Sequence, residues 1–197
     1  MPVLIVKPLV VGAAVAATAL AACDGGEATP PSEESLGGEF SAGQAFDPDR
    51  QGPAAPVEGA VEGGTATVLS NFELQTMDPS EAYALDTNSI LSGLVTRSLT
   101  QYVYDPAHGT MTLVPDIATD LGRPNEDFTQ WTFTIREGVK FENGREVTAE
   151  DVAYGIKRSL DRRAFPNGPE YSNKYFLDGD TYNGVYTTGT AYDGVVV

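Results

Sequence analysis

The sequence predicts an α/β fold, and three observations carry the prediction. Residues 130–136 alternate between apolar and polar side chains, as a half-buried strand does. Turn residues at 105–109 and 143–144 separate β-branched and aromatic runs, which indicates two hairpins. Thr148 precedes an apolar stripe at helical spacing, which indicates an amphipathic helix. Together these patterns predict a mixture of strands and helices.

The composition excludes several classes of protein. The 197 residues include 12 Lys and Arg against 28 Asp and Glu, and the net charge of −16 argues against a nucleic-acid-binding surface. The single Cys excludes an intramolecular disulfide framework. One Cys and one His cannot supply the ligands of an ordinary structural zinc site. Hydrophobic residues make up 41% of the chain, which is enough for a globular core.

Residues 1–22 are predicted to be a lipoprotein signal peptide. Lys7 is their only charged residue, and residues 9–22 form an apolar run that is shorter than the ~20 residues of a membrane-spanning helix. The run ends in small residues directly before Cys23, the only Cys. This arrangement resembles the lipobox of bacterial lipoproteins, in which the Cys is diacylated and becomes the first mature residue. The alternative is a free thiol beside an ordinary cleavage site.

Residues 23–62 are predicted to be a lipid-anchored, acidic and flexible linker. From residue 24 onward they hold nine acidic residues, five Pro and a single basic residue, Arg50. So few large apolar side chains cannot offset the entropy lost on folding. The alternative is a ligand-binding tail, although blocks of like charge are usually solvated. The folded part is predicted to begin at Gly63, because sixteen of the 18 aromatic residues lie beyond that point.

The first elements of the folded part lie on either side of a turn at residues 77–79. Residues 65–70 are rich in β-branched side chains and predict a strand. Pro79 forces Asp78 out of helical geometry. Apolar residues then recur at helical spacing, which predicts a helix over residues 87–99. Residues 101–104 and 110–114 follow as the two strands of the first hairpin.

The second hairpin is predicted around Asn143 and Gly144. These residues separate two short runs, and both positions of such a turn favour positive φ. Thr148 and Asp151 then form a capping-box variant at the start of a helix over residues 149–161.

The last part of the chain is predicted to consist mainly of loops. Residues 164–192 are rich in Gly, Asn, Tyr and Asp, and residues 194–197 begin a strand. Since a strand needs partners, we expect the chain to be a fragment of a longer protein.

The residues indicate no catalytic centre, cofactor or metal site. His108 is the only His that a catalytic triad could use, and it falls in the predicted turn at 105–109, where polar residues are ordinary. A stretch that begins at Asp178 superficially resembles a calcium loop. Tyr182, Asn183 and Gly189 occupy the places where that loop needs Asp or Asn, Gly, and Glu.

A longer pattern runs from Leu113 to Leu160. It contains LVPDIATDL, followed by WTFTIREGVKFENGREVTAEDVAYGIKRSL. These segments resemble the signature of the family 5 extracellular solute-binding proteins, which include the oligopeptide, dipeptide and nickel receptors of ABC importers. The residues that carry the resemblance are Met77, Asp78, Pro79, Trp131, Phe133, Ile135, Arg136, Gly138, Val139, Lys140, Phe141, Asn143, Gly144, Val147, Thr148, Ala149, Glu150, Asp151, Val152 and Arg158.

The resemblance implies a fold of the periplasmic-binding-protein type II class. Residues 63–197 would form the N-terminal part of lobe one, with an inserted α+β subdomain, and the chain would be incomplete. The implied function is that of a substrate-binding lipoprotein, which captures peptides or similar small solutes outside the cell. It would deliver them to the permease and ATPase of an ABC importer, and it would not be an enzyme. The Cys23 lipid would hold it on the extracytoplasmic face of the cell membrane.

The resemblance also implies a ligand-binding segment. In peptide-binding members, the segment after the Asp-Pro turn pairs with the ligand backbone as an added strand, and the matching residues here are Tyr83, Ala84, Leu85 and Asp86. Backbone pairing tolerates many ligand side chains, because main-chain groups are common to all peptides. The alternative for the segment is a plain loop before the helix. The alternative ligands are nickel, haem or an oligosaccharide, and the alternative class is a surface-anchored extracellular enzyme or adhesin.

Overall fold

The computed structural model describes residues 3–7, 44–50, 58–61, 63–71, 73–105 and 108–197. Helices and strands both occur in these ranges, in agreement with the predicted α/β class. The strands are β1 (Val3–Val6), β2 (Gln44–Phe46), β3 (Thr100–Asp105), β4 (Thr110–Pro115), β5 (Arg123–Pro124), β6 (Trp131–Thr134) and β7 (Val195–Val196). The helices are α1 (Leu85–Ile90), a π-helical turn (Leu91–Val95), α2 (Ala149–Ser159) and a 3₁₀ turn (Tyr171–Lys174). No helix of the described residues has the length and apolar character needed to cross a membrane.

A four-stranded sheet with the order β5-β6-β1-β7 packs against helix α2. All its pairings are antiparallel. The centre of the core is formed by Leu4, Ala153 and Val195, which contribute from β1, α2 and β7. Because three distant parts of the chain meet there, tertiary burial and not local propensity holds these elements together.

A second sheet has the order β2-β4-β3. Strands β3 and β4 form the predicted first hairpin, with Thr100 opposite Pro115 and Asp105 opposite Thr110. The prediction of this hairpin is confirmed. Strand β2 lies parallel to β4 on the other side.

Helix α2 begins where the sequence predicts it. The Thr148 side chain accepts a hydrogen bond from the Asp151 N–H, and the Asp151 carboxylate accepts one from the Thr148 N–H. This reciprocal cap satisfies two donors at the start of the helix and is confirmed as a capping box. The helix ends at Ser159, and the next residue, Leu160, is completely buried.

The second hairpin is shorter than predicted. Lys140 and Glu146 form a single bridge, and the Gly144 N–H donates to the Phe141 carbonyl. Gly144 has φ +84, whereas Asn143 is not among the positive-φ residues. The turn is therefore a three-residue loop with glycine at the left-handed position, and not the two-residue turn that Asn143 and Gly144 predict.

Two strands lie where the sequence predicts none. Strand β1 falls inside the predicted leader, and β2 falls inside the predicted linker. Strand β1 fits between β6 and β7 because it satisfies backbone groups on both of its neighbours, and Leu4 is fully buried there. Strand β2 similarly pairs with the open side of β4. The cleavage site at Cys23 lies outside the described residues, so the leader and its lipid stay predictions.

Two other elements differ from the sequence prediction. Residues 65–70 are exposed and form no strand, because no partner strand lies beside them in the described structure. The helix predicted over 87–99 begins two residues earlier and is finished by Thr96, whose backbone is extended. The predicted helix is therefore too long at its C-terminal end, and of its apolar residues Leu91 is buried whereas Leu94 and Val95 are exposed.

Candidate functional site

The predicted ligand-binding residues lie beside an open groove of about 610 Å³. Ala84, Leu85 and Asp86 line this groove directly. Tyr83 is not among the lining residues, but it precedes them and is 63% exposed. The complete lining is Glu73, Gln75, Ala84, Leu85, Asp86 and Ser89. We call residues 73–89 the groove segment.

The backbone of the groove segment changes conformation at Ala84. Ala84 is extended, with φ −67 and ψ 140, and helix α1 begins at Leu85. Leu85 and Asp86 therefore belong to a helical turn and cannot form part of an added strand. The prediction of a four-residue pairing edge is too long, because the extended backbone at Ala84 gives way to the helix one residue later.

Tyr83 and Ala84 have main-chain groups available for a ligand. No described residue accepts a hydrogen bond from the N–H of Tyr83 or of Ala84. The Ala84 carbonyl, by contrast, accepts the first bond of α1 from the Asn88 N–H at 3.0 Å. Unpaired N–H groups beside an open groove are suited to pair with an extended peptide.

The charges along the groove are acidic. Glu73 and Asp86 are among its lining residues, and no Lys or Arg of the described part of the chain is. The lining therefore favours a neutral or cationic ligand over an anionic one. The ammonium group of a peptide N-terminus has the charge that this arrangement prefers.

The turn before the groove confirms the predicted structure at residues 77–79. The Asp78 carbonyl accepts hydrogen bonds from the N–H groups of Glu81 and Ala82 at 3.1 and 3.0 Å. The Asp78 side chain accepts a further bond from the Ser80 N–H at 2.9 Å. The turn therefore directs the chain from Asp78 to Tyr83 with little freedom.

The Asp78 carboxylate is paired with Arg158 of helix α2. The guanidinium donates from Nη1 to Oδ1 at 2.8 Å and from Nη2 to Oδ2 at 2.5 Å. This contact with Arg158 is the main reason why the pKa of the Asp78 carboxyl is lowered, and it also raises the pKa of Arg158. The same guanidinium lowers the pKa of the Tyr186 hydroxyl.

A second cavity, of about 410 Å³, lies beside the second hairpin and α2. Arg97 lies in its lining, and its Nε and Nη2 atoms donate to the Asp116 Oδ1 at 2.9 and 2.5 Å. Asp116 is almost completely buried, so this ion pair serves to compensate a buried charge. The cavity contains none of the predicted ligand-binding residues.

The structure gives no support to a catalytic role for His108. Its side chain is 76% exposed, and its Nδ1 lies 2.7 Å from the Asp105 carboxylate within the first hairpin. A hydrogen bond between residues three apart at a turn is an ordinary local contact. The described residues contain no group of three or more His, Cys, Asp or Glu that could hold a metal ion.

Sequence reasoning missed three residues of the groove and the pairing of Arg158. Glu73 and Gln75 are polar residues in a segment with no regular pattern, and Ser89 is a polar position of the predicted helix, so no signal marked any of them as a groove residue. Arg158 lies in the last turn of α2, where a cation is already explained by the helix dipole. Its partner lies 80 residues away in the sequence, and no local pattern reports such a contact.

Comparison with known proteins finds one family model that matches a part of the chain containing β5, β6 and α2, and several curated relatives. The family model described as bacterial extracellular solute-binding proteins, family 5 Middle, matches residues 112–193. Protein XP55 of Streptomyces lividans is 33% identical over 116 residues, which cover 56% of this chain and 19% of that protein.

Two further relatives have names that state a ligand. The probable D,D-dipeptide-binding periplasmic protein DdpA of Escherichia coli (strain K12) is 33% identical over 87 residues, 44% of this chain and 16% of the relative. The oligopeptide-binding protein OppA of Bacillus subtilis (strain 168) is 41% identical over 56 residues, 28% of this chain and 10% of the relative. The chain thus spans about a fifth or less of the curated relatives that it matches. No solved structure matches it significantly.

Proposed function

We propose that this protein captures peptides for import. The proposal proceeds from the premise that residues 112–193 belong to the bacterial extracellular solute-binding proteins of family 5. Relatives named for dipeptide and oligopeptide binding support a peptide as the ligand. The proposed role is binding without chemical change. Binding would shift the equilibrium between an open and a closed conformation. The size of this shift cannot exceed the difference between the ligand's affinities for the two conformations.

The observation that carries the proposal is the pair of N–H groups on Tyr83 and Ala84, which have no hydrogen-bond partner among the described residues. They lie next to a groove that is open to solvent, and the chain is extended at Ala84. An extended peptide can add to such a backbone through main-chain hydrogen bonds, which do not depend on its side chains. Exposed side chains at Tyr83 and Leu85 would supply apolar contact.

The finer proposal is that the receptor is a lipoprotein of an ABC importer. Processing before Cys23 would remove the leader, and the residues from 23 to 62 would tether the binding domain to the membrane. A permease and its ATPase would receive the peptide. Processing would also remove β1, so the processed protein would need another strand between β6 and β7.

The proposal is tested by removing one N–H from the groove. Ala84→Pro deletes the donor, and the observed φ of −67 is already that of proline. Since the Ala84 N–H has no partner among the described residues, folding should be unaffected. We expect peptide affinity to fall about fivefold to tenfold, which corresponds to a hydrogen bond of about 1 kcal/mol.

The measurement is calorimetric titration of the complete protein with a mixture of short peptides. Ala84→Val is the matched control, because it changes the side chain and keeps the N–H. Equal affinity in both variants would contradict backbone pairing at Ala84. If nickel, haem or an oligosaccharide gives heat of binding and peptides give none, the ligand is that solute and not a peptide. Hydrolysis of a chromogenic peptide or glycoside would instead indicate the surface enzyme.

A further inference from the structure

We infer that Arg158 is a positioning residue for the ligand, because it fixes the turn from which Tyr83 and Ala84 extend. The inference rests on the proposed function, since it concerns the same groove. Arg158 does not line the groove, and so it would act through Asp78 without touching the ligand.

Arg158 contacts the turn through three hydrogen bonds. Two go from Nη1 and Nη2 to the two Asp78 carboxylate oxygens, and a third goes from Nη1 to the Ser80 Oγ at 2.8 Å. A bidentate guanidinium–carboxylate pair fixes orientation as well as distance. Both side chains are half-buried, with 24% of Arg158 and 30% of Asp78 exposed, so solvent screens the pair only in part.

The guanidinium is itself held in place. Its Nε donates to the Tyr186 hydroxyl at 3.0 Å, and its Cζ lies 4.1 Å from the centre of the Phe165 ring. The buried Asp161 anchors both aromatic residues: its carboxylate accepts from the Tyr186 N–H, and its carbonyl accepts from the Phe165 N–H. The position and orientation of the Arg158 guanidinium are therefore fixed independently of its contact with Asp78.

Hydrogen bonds within the turn link the position of Asp78 to that of the residues at the groove. The Asp78 carbonyl binds the N–H groups of Glu81 and Ala82, and Ala82 is buried. Tyr83 follows directly, and Ala84 comes next. A displacement of Asp78 would therefore displace the two N–H groups that the ligand uses.

A second contact holds the other side of the turn. A Cβ atom at Gly168 would collide with the Ser80 carbonyl oxygen, so the backbone at Gly168 packs directly against the turn. Asn167 donates from Nδ2 to the Glu81 carboxylate at 2.8 Å. Loss of Arg158 should therefore loosen the turn without detaching it.

The chain offers a matched control in another Arg–Asp pair, which joins the second hairpin to helix α2. Arg145 forms a bidentate pair with Asp151 at 3.1 and 2.9 Å, at the opposite end of α2. That pair joins residues six apart and contacts no part of the groove segment. Removing it deletes the same chemistry without touching the turn.

The test measures hydrogen exchange at the amides of Glu81 and Ala82 in the complete protein without ligand, together with the affinity for a defined short peptide. We expect Arg158→Ala to speed exchange about tenfold and to weaken peptide binding about tenfold. Arg158→Lys should recover part of both effects, because it keeps the charge but loses the fork. Arg145→Ala should change neither quantity.

If Arg158→Ala does not fold, Asp78→Asn is measured in its place. The Asp78→Asn substitution weakens the same ion pair with little change in side-chain shape. Unchanged exchange in the variants that fold would overturn the inference. Faster exchange with unchanged affinity would also overturn it, and would leave the peptide receptor standing. If the unsubstituted protein binds no peptide, the proposed function fails, and exchange alone decides whether Arg158 positions the segment.

Discussion

Two regions of the molecule differ in what stabilises them. They are the hairpin–helix unit, residues 131–160, and the groove segment, residues 73–89. The hairpin–helix unit has a capping box, a glycine turn and a completely buried Leu160. The groove segment exposes 63% of Tyr83 and 83% of Leu85, and among its described residues the only buried apolar side chain is that of an alanine, Ala82. The region with the strongest sequence pattern is thus scaffold, and the candidate site has almost no pattern.

The two regions are connected by contacts that are distant in sequence. Arg158 extends from the end of the scaffold helix to Asp78, 80 residues earlier. Gly168, from the loops that follow the helix, packs against Ser80. A binding segment that must expose its backbone cannot bury much of itself, so its position has to be set by such external contacts.

The largest expected effect comes from the core of the hairpin–helix unit. Leu160→Ala should destabilise the chain by about 2–5 kcal/mol, because it removes a fully buried side chain and leaves a cavity. Urea unfolding, with the slope compared between variants, measures this change. A loss below about 0.5 kcal/mol would show that the unit is not the stabilising region.

A smaller effect, dependent on pH, is expected at the junction of the two regions. Arg158 holds the pKa of the Asp78 carboxyl below its ordinary value of 3.8 in the folded chain. The folded state therefore binds this proton more weakly than the unfolded state does. The stability that Asp78 contributes is present above about pH 4 and is lost as the pH falls through the lowered pKa.

Urea unfolding of Asp78→Asn from neutral pH to about pH 3 checks this sign. The difference from the unsubstituted chain should be greatest near neutral pH and should shrink in acid. When Asp78→Asn is introduced into the Arg158→Ala variant, the pH dependence of the difference should be reduced, because the largest cause of the lowered pKa is then absent. A difference that grows in acid would contradict the ion pair as its source.

The smallest effect on stability is expected in the groove. Leu85→Ala should change the free energy of unfolding by less than about 0.5 kcal/mol, since the side chain is exposed. The same substitution should still weaken peptide binding if Leu85 contacts the ligand. A large loss of stability would mean that Leu85 packs against a part of the protein outside the described residues.

The same contrast explains how much of the fold could be predicted from the sequence. The β3–β4 hairpin and helix α2 depend on neighbours a few residues away, and their patterns identified them. Strands β1 and β2 depend on distant partners, and a short apolar run such as Val3–Val6 does not reveal which edges it will join. Residues 65–70 show the reverse error, since β propensity without a partner makes no strand.

The candidate site was only partly predictable for the same reason. The residues predicted from the resemblance include Ala84, Leu85 and Asp86, which line one groove, but their role in binding stays a prediction, and the resemblance did not show that helix α1 begins at Leu85. Exposed polar residues such as Glu73 carry no pattern. The pairing of Asp78 with Arg158 follows from tertiary packing and could not be read from either residue alone.

Hydrogen exchange at the Tyr83 and Ala84 amides, with and without a bound peptide, tests the central claim most directly. Both N–H groups have no partner among the described residues, so they should exchange rapidly in the free protein. Bound peptide should slow one or both by at least about tenfold, while the Asp151 N–H in the capping box of α2 changes little. Measurable peptide binding with no protection at Tyr83 and Ala84 would contradict the account, because the ligand would then bind elsewhere.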